Sequence, residues 1–453
     1  MVRRCLLLCL LVVSFGLFAS PAWGAEKTIW GPTKLPGGGS AFPRYRDLGV
    51  DTWQVTLDWS SVAPNRPARP QDPSDPAYRW PAGLDAAVSE AGANGVNVAL
   101  LTIFSPRWAN GGRSRLWVPD TGAYADFLTA AKRRYPSIRR WMIWGEPNLG
   151  SRFLPSRKND STAPRAYARL LDAAYVALKR ASRRNIVIGG MTTTAGDIQP
   201  ADFLRAMRLP NGRRPRLDWF GHNPFPFRFP NIRSRAIPGG FRDVSDLDLF
   251  SHEIARAYTR PCGRRGRRCG RAPRVWVSEF TVQSDHPSTL FKLSVGRAAQ
   301  ARWLTAAFRL ADRLPSVAGM GWHTLLDNPV GPRSPTMGLM TAAGKRKPAF
   351  RAFRDAPSRR FRPSVRAPRR VRRSVLGGRG LVVKVSPKAR GRLVIRLASR
   401  RGRTLSRVAR RVREGRSYAF RLRHTLRRTG RLRIEVAAPR GELVVRVLQT
   451  SPR

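Results

Sequence analysis

Histidine, cysteine and acidic side chains are all scarce in this 453-residue chain. Five His, four Cys and 28 Asp plus Glu stand against 85 Lys plus Arg. Each shortage excludes something. Cys5 and Cys9 fall in the N-terminal apolar run, which leaves Cys262 and Cys269, in PCGRRGRRCG, with no histidine beside them. Two cysteines are too few for a structural zinc centre, and no metal site is expected. In an oxidising compartment they read instead as a disulfide closing a short Arg/Gly loop, worth about 2–3 kcal/mol on the chain-entropy model. After the N-terminus no apolar run is long enough to span a bilayer. No glycine-rich phosphate loop follows the early apolar segments TWQVTLDW and VNVALLTIF, which argues against a dinucleotide-binding, doubly wound sheet.

The shortage of acids gives a net charge of +57. Such an excess of arginine has two readings: an acidic partner, or a GC-rich coding sequence that enriches surface Arg without one. The N-terminus is not fold. Arg3 and Arg4 precede the apolar run Cys5 to Phe18, and Ser-Pro-Ala-Trp-Gly follows. That is a charged region, a hydrophobic region too short to cross a membrane, and a small-residue cleavage site, so residues 1–24 are read as a signal peptide and the mature protein as secreted.

From residue 25 to 355 one rhythm repeats. Apolar, β-rich runs lie at 52–59, 96–104, 140–146, 185–190, 217–223, 274–280 and 317–323, with a weaker first one at 27–32. Ala-rich segments with apolar residues at i, i+3, i+4 spacing separate them, as in APRAYARLLDAAYVALKRAS. Continuous apolar strands alternating with amphipathic helices predict a parallel sheet covered by helices, and eight such units predict an α/β (β/α)8 TIM barrel. Residues 356–375 are Pro/Arg-rich and read as a linker. Residues 376–453 alternate apolar and polar side chains in GLVVKVSP, GRLVIRLAS, SYAFRLRH, GRLRIEVAAP and GELVVRVLQ, which predicts a small, basic, all-β sandwich-like domain. From residue 351 onward 33 Lys and Arg face 4 Asp and Glu. An anionic polymer of the cell envelope is a partner that suits this domain. Nucleic acid would suit it by charge alone, but export and the lack of interleaved aromatics argue against it.

In such barrels the chemistry sits at the C-terminal ends of the strands. The second strand delivers Asp58 and Trp59 there, the third Trp108, and the fourth Trp144, Glu146 and Asn148. The sixth delivers His222 and Asn223, the seventh Glu279, and the eighth Trp322 and His323. Two glutamates facing one another suit glycoside hydrolysis. One protonates the leaving oxygen and the other attacks the anomeric carbon, with the carboxyl groups roughly 5–5.5 Å apart in retaining enzymes. The Trp, Asp58, Asn148, His222, Asn223 and His323 are the candidate sugar contacts. Glu146 beside Trp144 should have a raised pKa, and Glu279 needs donors to stay ionised, for which His222 and Asn223 are the nearest candidates.

WMIWGEPN on the fourth strand and VWVSEF on the seventh resemble the clan of (β/α)8 retaining glycosidases with the acid/base on strand four and the nucleophile on strand seven. LGVDTWQVTLDWSSVAP and LLTIFSPRWAN resemble its second and third units, and the texture is most similar to glycoside hydrolase family 39, the β-xylosidase and α-L-iduronidase group. Across residues 40–350 the resemblance implies a (β/α)8 glycosidase without cofactors, Glu146 as acid/base and Glu279 as nucleophile. Two positions depart from it. Gly145 stands where the clan usually has an Asn that binds the sugar 2-hydroxyl. Phe225 and Phe227 stand where many members have a Tyr that donates to the nucleophile. These departures leave a second expectation open, a carbohydrate-binding or envelope-attached protein on a barrel that has lost turnover.

Overall fold

A computed structural model describes residues 24–158, 160–262, 268–289, 291–328 and 334–452. The expected signal peptide, apart from Gly24, lies outside the described residues.

Eight parallel strands close a barrel: β1 (Glu26–Trp30), β2 (Thr52–Asp58), β3 (Asn97–Ile103), β4 (Arg140–Ile143), β5 (Ile186–Thr193), β6 (Trp219–Asn223), β7 (Arg274–Phe280) and β8 (Val317–His323). Each pairs with its neighbours in sequence, and β8 pairs with β1. The helices pack outside by the faces their spacing predicts. The Thr162–Ala181 helix buries Ala163, Ala166, Tyr167, Leu170, Leu171, Ala174 and Leu178 on one side. Each fully buried Leu there contributes about 1.5–3 kcal/mol. Tyr167 does more than pack: its hydroxyl donates to the Ile143 carbonyl at 2.7 Å and accepts from Gly190 N at 2.9 Å. It thereby satisfies backbone groups where β4 stops.

Two boundaries differ from the sequence reading for local reasons. The expected strand 140–146 ends at Ile143 because Trp144 (φ 60°) and Glu146 (φ 50°) enter the left-handed region. β5 continues three residues beyond its expected end at 190, to Thr193.

The C-terminal domain is a sandwich of two sheets. One holds Ser364–Arg366, Leu381–Ser386 and Tyr418–Leu422; the other runs Arg370–Arg372, Leu443–Ser451, Arg431–Ala437, Gly391–Ser399, Thr404–Val412. The segment read as a linker is therefore structured. It supplies two short strands, and Val365 and Val371 join the sandwich core. The strand Thr404–Val412 escaped the sequence reading because it is an edge strand wetted on both faces. Arg407, Arg410 and Arg411 are exposed on it, and Val412 is its one buried residue. The sandwich meets the bottom of the barrel through Asp312, which pairs with Arg362 and accepts from Leu443 N at 3.2 Å.

Cys262 and Cys269 form the expected disulfide, with their Cα atoms 5.6 Å apart. Among the described residues no helix is long and apolar enough to cross a membrane.

Candidate active site

Glu146 and Glu279 line one cavity at the C-terminal mouth of the barrel, about 200 Å³ in volume. Around them stand Trp30 from β1, Thr56 from β2, Phe104 after β3, Arg152 after β4, Asn223 from β6 and His323 from β8. Seven of the eight barrel positions thus contribute a polar or aromatic side chain to one space, counting the two glutamates.

The backbone of three neighbouring segments, the loop that carries Glu146 among them, is held in a conformation that costs energy. Phe104 (φ 65°), Trp144 (φ 60°), Glu146 (φ 50°) and Met191 (φ 43°) all lie at positive φ, and all but Trp144 line the cavity. Left-handed backbone at non-glycine residues costs about 1–3 kcal/mol each and persists only where the surroundings impose it. Here they do. Glu146 N donates to Met191 O at 2.9 Å, Trp144 N to Thr102 O at 3.0 Å, and Trp144 Nε1 to Arg152 O at 2.8 Å. Asn148, fully buried, ties this loop to the end of β5: its amide donates to Thr193 O at 3.1 Å and Ile198 O at 3.0 Å, and accepts from Thr193 N at 2.9 Å.

The two carboxylates have unequal surroundings. Asn223 Nδ2 donates to Glu146 Oε1 at 3.1 Å, and Arg152 Nε lies 3.8 Å from Glu146 Oε2. Burial raises the Glu146 pKa, the charge of Glu279 adds to it, and Asn223 and Arg152 oppose. No donor among the described residues hydrogen-bonds to Glu279. Burial pushes its pKa up to about 7, and the charge of Arg152 is the one influence against this. His323 is held neutral, its pKa lowered to about 4 by burial. Hydrogen bonds across the barrel interior fix its aromatics: Trp30 Nε1 donates to Ser278 O at 3.1 Å and Trp276 Nε1 to Gln54 Oε1 at 3.0 Å.

Four of the residues singled out in the sequence meet here: Glu146, Glu279, Asn223 and His323. The others do not. Asp58 caps the short helix Trp59–Val62 through Ser61 N and pairs with Arg115 at 3.0 Å. Trp59 is buried between Phe127, Tyr124 and Trp108, and Trp108 donates to Ala63 O at 2.8 Å. Trp144 and Trp322 are fully buried, with Trp322 Nε1 donating to Met337 O at 3.1 Å. Trp59, Trp144 and Trp322 are thus closed off in packing, and Trp108 is half-buried against Trp59, outside the cavity lining. His222 is buried too. Its ring meets Thr192 Oγ1 at 2.9 Å and Arg242 O at 2.8 Å, so it cannot serve Glu279. Asn223 likewise serves Glu146 and not Glu279.

Trp30, Phe104 and Arg152 were not foreseen. Trp30 was within reach of the strand-end rule, since it ends the weakest of the eight strand segments. Phe104 was within the same reach, as the last residue of the expected strand 96–104, although the strand stops at Ile103; Arg152 lies on a loop whose course the sequence does not give. Arg115 stacks over the Phe104 ring at 4.0 Å. Gly145 itself lines the cavity, and a side chain begun there would meet Ile103 Cδ1 at 3.3 Å and Leu101 Cδ2 at 3.5 Å, close apolar contacts. No group of His, Cys, Asp and Glu among the described residues could hold a metal ion.

No protein-family model matches the sequence, and no curated protein matches it either. Solved structures do match. A family 39 glycoside hydrolase from the gut symbiont Bacteroides cellulosilyticus WH2 has a TM-score of 0.56 at 15% identity, over 94% of this chain and 81% of that one. A glucosidase from Croceicoccus marinus has a TM-score of 0.52 at 13% identity, over 95% and 97%. A monomeric β-xylosidase from Caulobacter crescentus CB15 has a TM-score of 0.50 at 14% identity, over 89% and 96%. The chain therefore shares the fold of these proteins, a (β/α)8 barrel followed by antiparallel β-sheets.

Proposed function

We propose that the protein is a secreted retaining glycoside hydrolase acting on a polysaccharide or its oligomers. The observation that carries this reading is the convergence of Glu146, just past β4, and Glu279, on β7, on one small cavity. In this mechanism a Glu279 oxygen attacks the anomeric carbon while Glu146 gives its proton to the departing glycosidic oxygen. Glu146, now a carboxylate, takes a proton from water, and that water displaces Glu279 to release the sugar. The names of the similar structures support the reading, and no cofactor enters it.

Within the cavity Asn223 and Arg152 favour charge on Glu146, while among the described residues Glu279 lacks donors. Chemistry needs the reverse, so the hydroxyls of a bound sugar have to supply the hydrogen bonds that Glu279 lacks. Export, and contact of the C-terminal arginines with an anionic envelope polymer, belong to the same proposal.

The test is hydrolysis of a panel of aryl β-glycosides and of xylan, glucan and galactan, with Glu146→Gln and Glu279→Gln alongside. Turnover of one substrate, lost in both variants, supports the reading. Gly145, where the resemblance expects an Asn on the sugar, favours a second one, a carbohydrate-binding barrel without turnover. Retention on a polysaccharide with no hydrolysis of any substrate would select it.

A further inference from the structure

Phe227 and Phe229 are 52% and 47% exposed, and they are the sole large aromatics this open to solvent among the described residues. They belong to one segment, Pro224-Phe-Pro-Phe-Arg-Phe-Pro230, which leaves β6 directly after Asn223. The exposure is built. Arg228, between the two rings, turns inward: Nε reaches Asp243 Oδ2 at 3.2 Å and Nη2 reaches Asp246 Oδ1 at 3.0 Å, both buried carboxylates. Anchoring the middle residue inward turns its neighbours outward. Pro226 and Pro230 restrict the backbone on either side. Each ring is also propped from behind, Phe227 by Phe241 (centroids 5.9 Å apart) and Phe229 edge-on by Trp303 (5.7 Å). Phe225 begins the series against Phe291 at 4.9 Å, with its N–H on Asn223 O at 2.9 Å. The series thus starts two residues after Asn223, which holds Glu146, and ends at Phe229, against the helix Arg297–Arg313, beside Ala301 and Thr305.

A cavity of about 200 Å³ is small beside pockets that enclose drug-sized ligands, roughly 300–1,000 Å³. Most of a longer ligand must lie outside it. We propose that Phe225, Phe227 and Phe229 form a pre-organised stacking track for the part of a glycan chain that extends from the cavity, with Phe227 and Phe229 meeting the C–H faces of successive sugars. This rests on the proposed function for the identity of the ligand, not for turnover. Rings already fixed in place lose little freedom on binding.

The experiment compares the Phe227→Ala/Phe229→Ala double variant and the Phe227→Trp/Phe229→Trp variant with the parent. Retention in gels containing xylan, β-glucan or galactan is measured in a Glu279→Gln background, so that no polymer is consumed. Turnover of aryl β-glycosides and of the retained polymer is measured with Glu279 present. The Ala variant should weaken retention on the order of tenfold and lower the polymer-to-aryl-glycoside ratio of kcat/KM to match, while the Trp variant keeps both. If no glycoside is hydrolysed but retention is Phe-dependent, the track stands and the enzyme reading falls. The track is overturned if the parent is retained by none of the polymers, or if the Ala variant is retained equally. It is also overturned if polymer and aryl-glycoside turnover fall together. Phe-dependent binding to phosphatidylcholine–phosphatidylglycerol vesicles without polymer retention would make the pair a membrane contact, and would overturn it too.

Discussion

At the N-terminal end of the barrel Asp51 accepts hydrogen bonds from Lys27 N, Ser358 Oγ, Arg359 N and Arg360 N, at 2.8 to 3.1 Å. Glu26 beside it accepts from Thr52 Oγ1 at 2.8 Å, Arg140 Nη2 at 2.7 Å and Arg359 Nη1 at 2.8 Å. At the C-terminal end Glu146 is met by the Asn223 amide, the Thr193 hydroxyl and a distant guanidinium, and among the described residues Glu279 has no hydrogen-bond donor. Both ends bury carboxylates. One end provides each with partners and uses them to dock the sandwich; the other leaves them short of partners and opens a cavity in front of them. Glu442 shows why both conditions matter. It is 0% exposed at the sandwich–barrel junction and burial raises its pKa to about 7, yet it is closed in, so no substrate could reach it. Low partner number becomes a functional signal only where there is also access.

Four experiments would break or sharpen this contrast. Glu279→Gln should reduce turnover on the order of 10⁴-fold, yet raise the melting temperature by roughly a few degrees at pH 8. The sign follows from linkage. A carboxyl whose folded pKa is raised from 4.5 to about 7 binds protons more tightly in the folded state, so stability falls as pH rises across that interval. The gain on substitution should therefore be larger at pH 8 than at pH 5, and a lower melting temperature at pH 8 would refute it. Asp51→Ala should do the opposite, leaving kcat/KM of the folded protein unchanged while lowering stability by about 2–4 kcal/mol, because four donors lose their acceptor. Urea unfolding together with an activity assay reads both. Arg152→Met removes the charge that favours ionised Glu279, so the acid limb of the kcat/KM profile, near pH 7 in the parent, should move to higher pH. An unmoved limb would show that Arg152 does not act on Glu279. The smallest effect is expected at Glu442→Gln, a gain of about 1 kcal/mol or less above pH 7 and no gain near pH 5, measured by thermal unfolding.

The barrel was legible because its signal is repeated. Eight apolar runs separated by helical spacing admit few other folds, and β7 and β8 begin and end where the sequence reading placed them. Glu146 and Glu279 were legible for a related reason, since strand ends are where such a barrel presents side chains. The tryptophans were not. A side chain at a strand end can face the mouth or the helix layer, and the choice depends on strand stagger, which no local pattern encodes. Trp59 faces Phe127, 68 positions along the chain, and Trp322 donates to Met337 O, 15 positions further on. Asn148 and His222 looked polar enough to bind sugar, but their donors and acceptors are used by loop backbone. Arg152 was missed because it belongs to no strand and owes its position to the left-handed turn at Trp144 and Glu146.

The wet edge strand Thr404–Val412 has a consequence for the protein's company with itself. Its outer side has no partner strand among the described residues, and an open edge of nine residues is a template for another chain of the same kind. Arg407, Arg410 and Arg411 would bring like charges together in any such pairing, so the arginine that made this strand hard to read keeps concentrated molecules apart. Replacing the three with Ser should raise light scattering at concentrations where the parent stays dispersed. High salt, which screens the repulsion, should push the parent in the same direction.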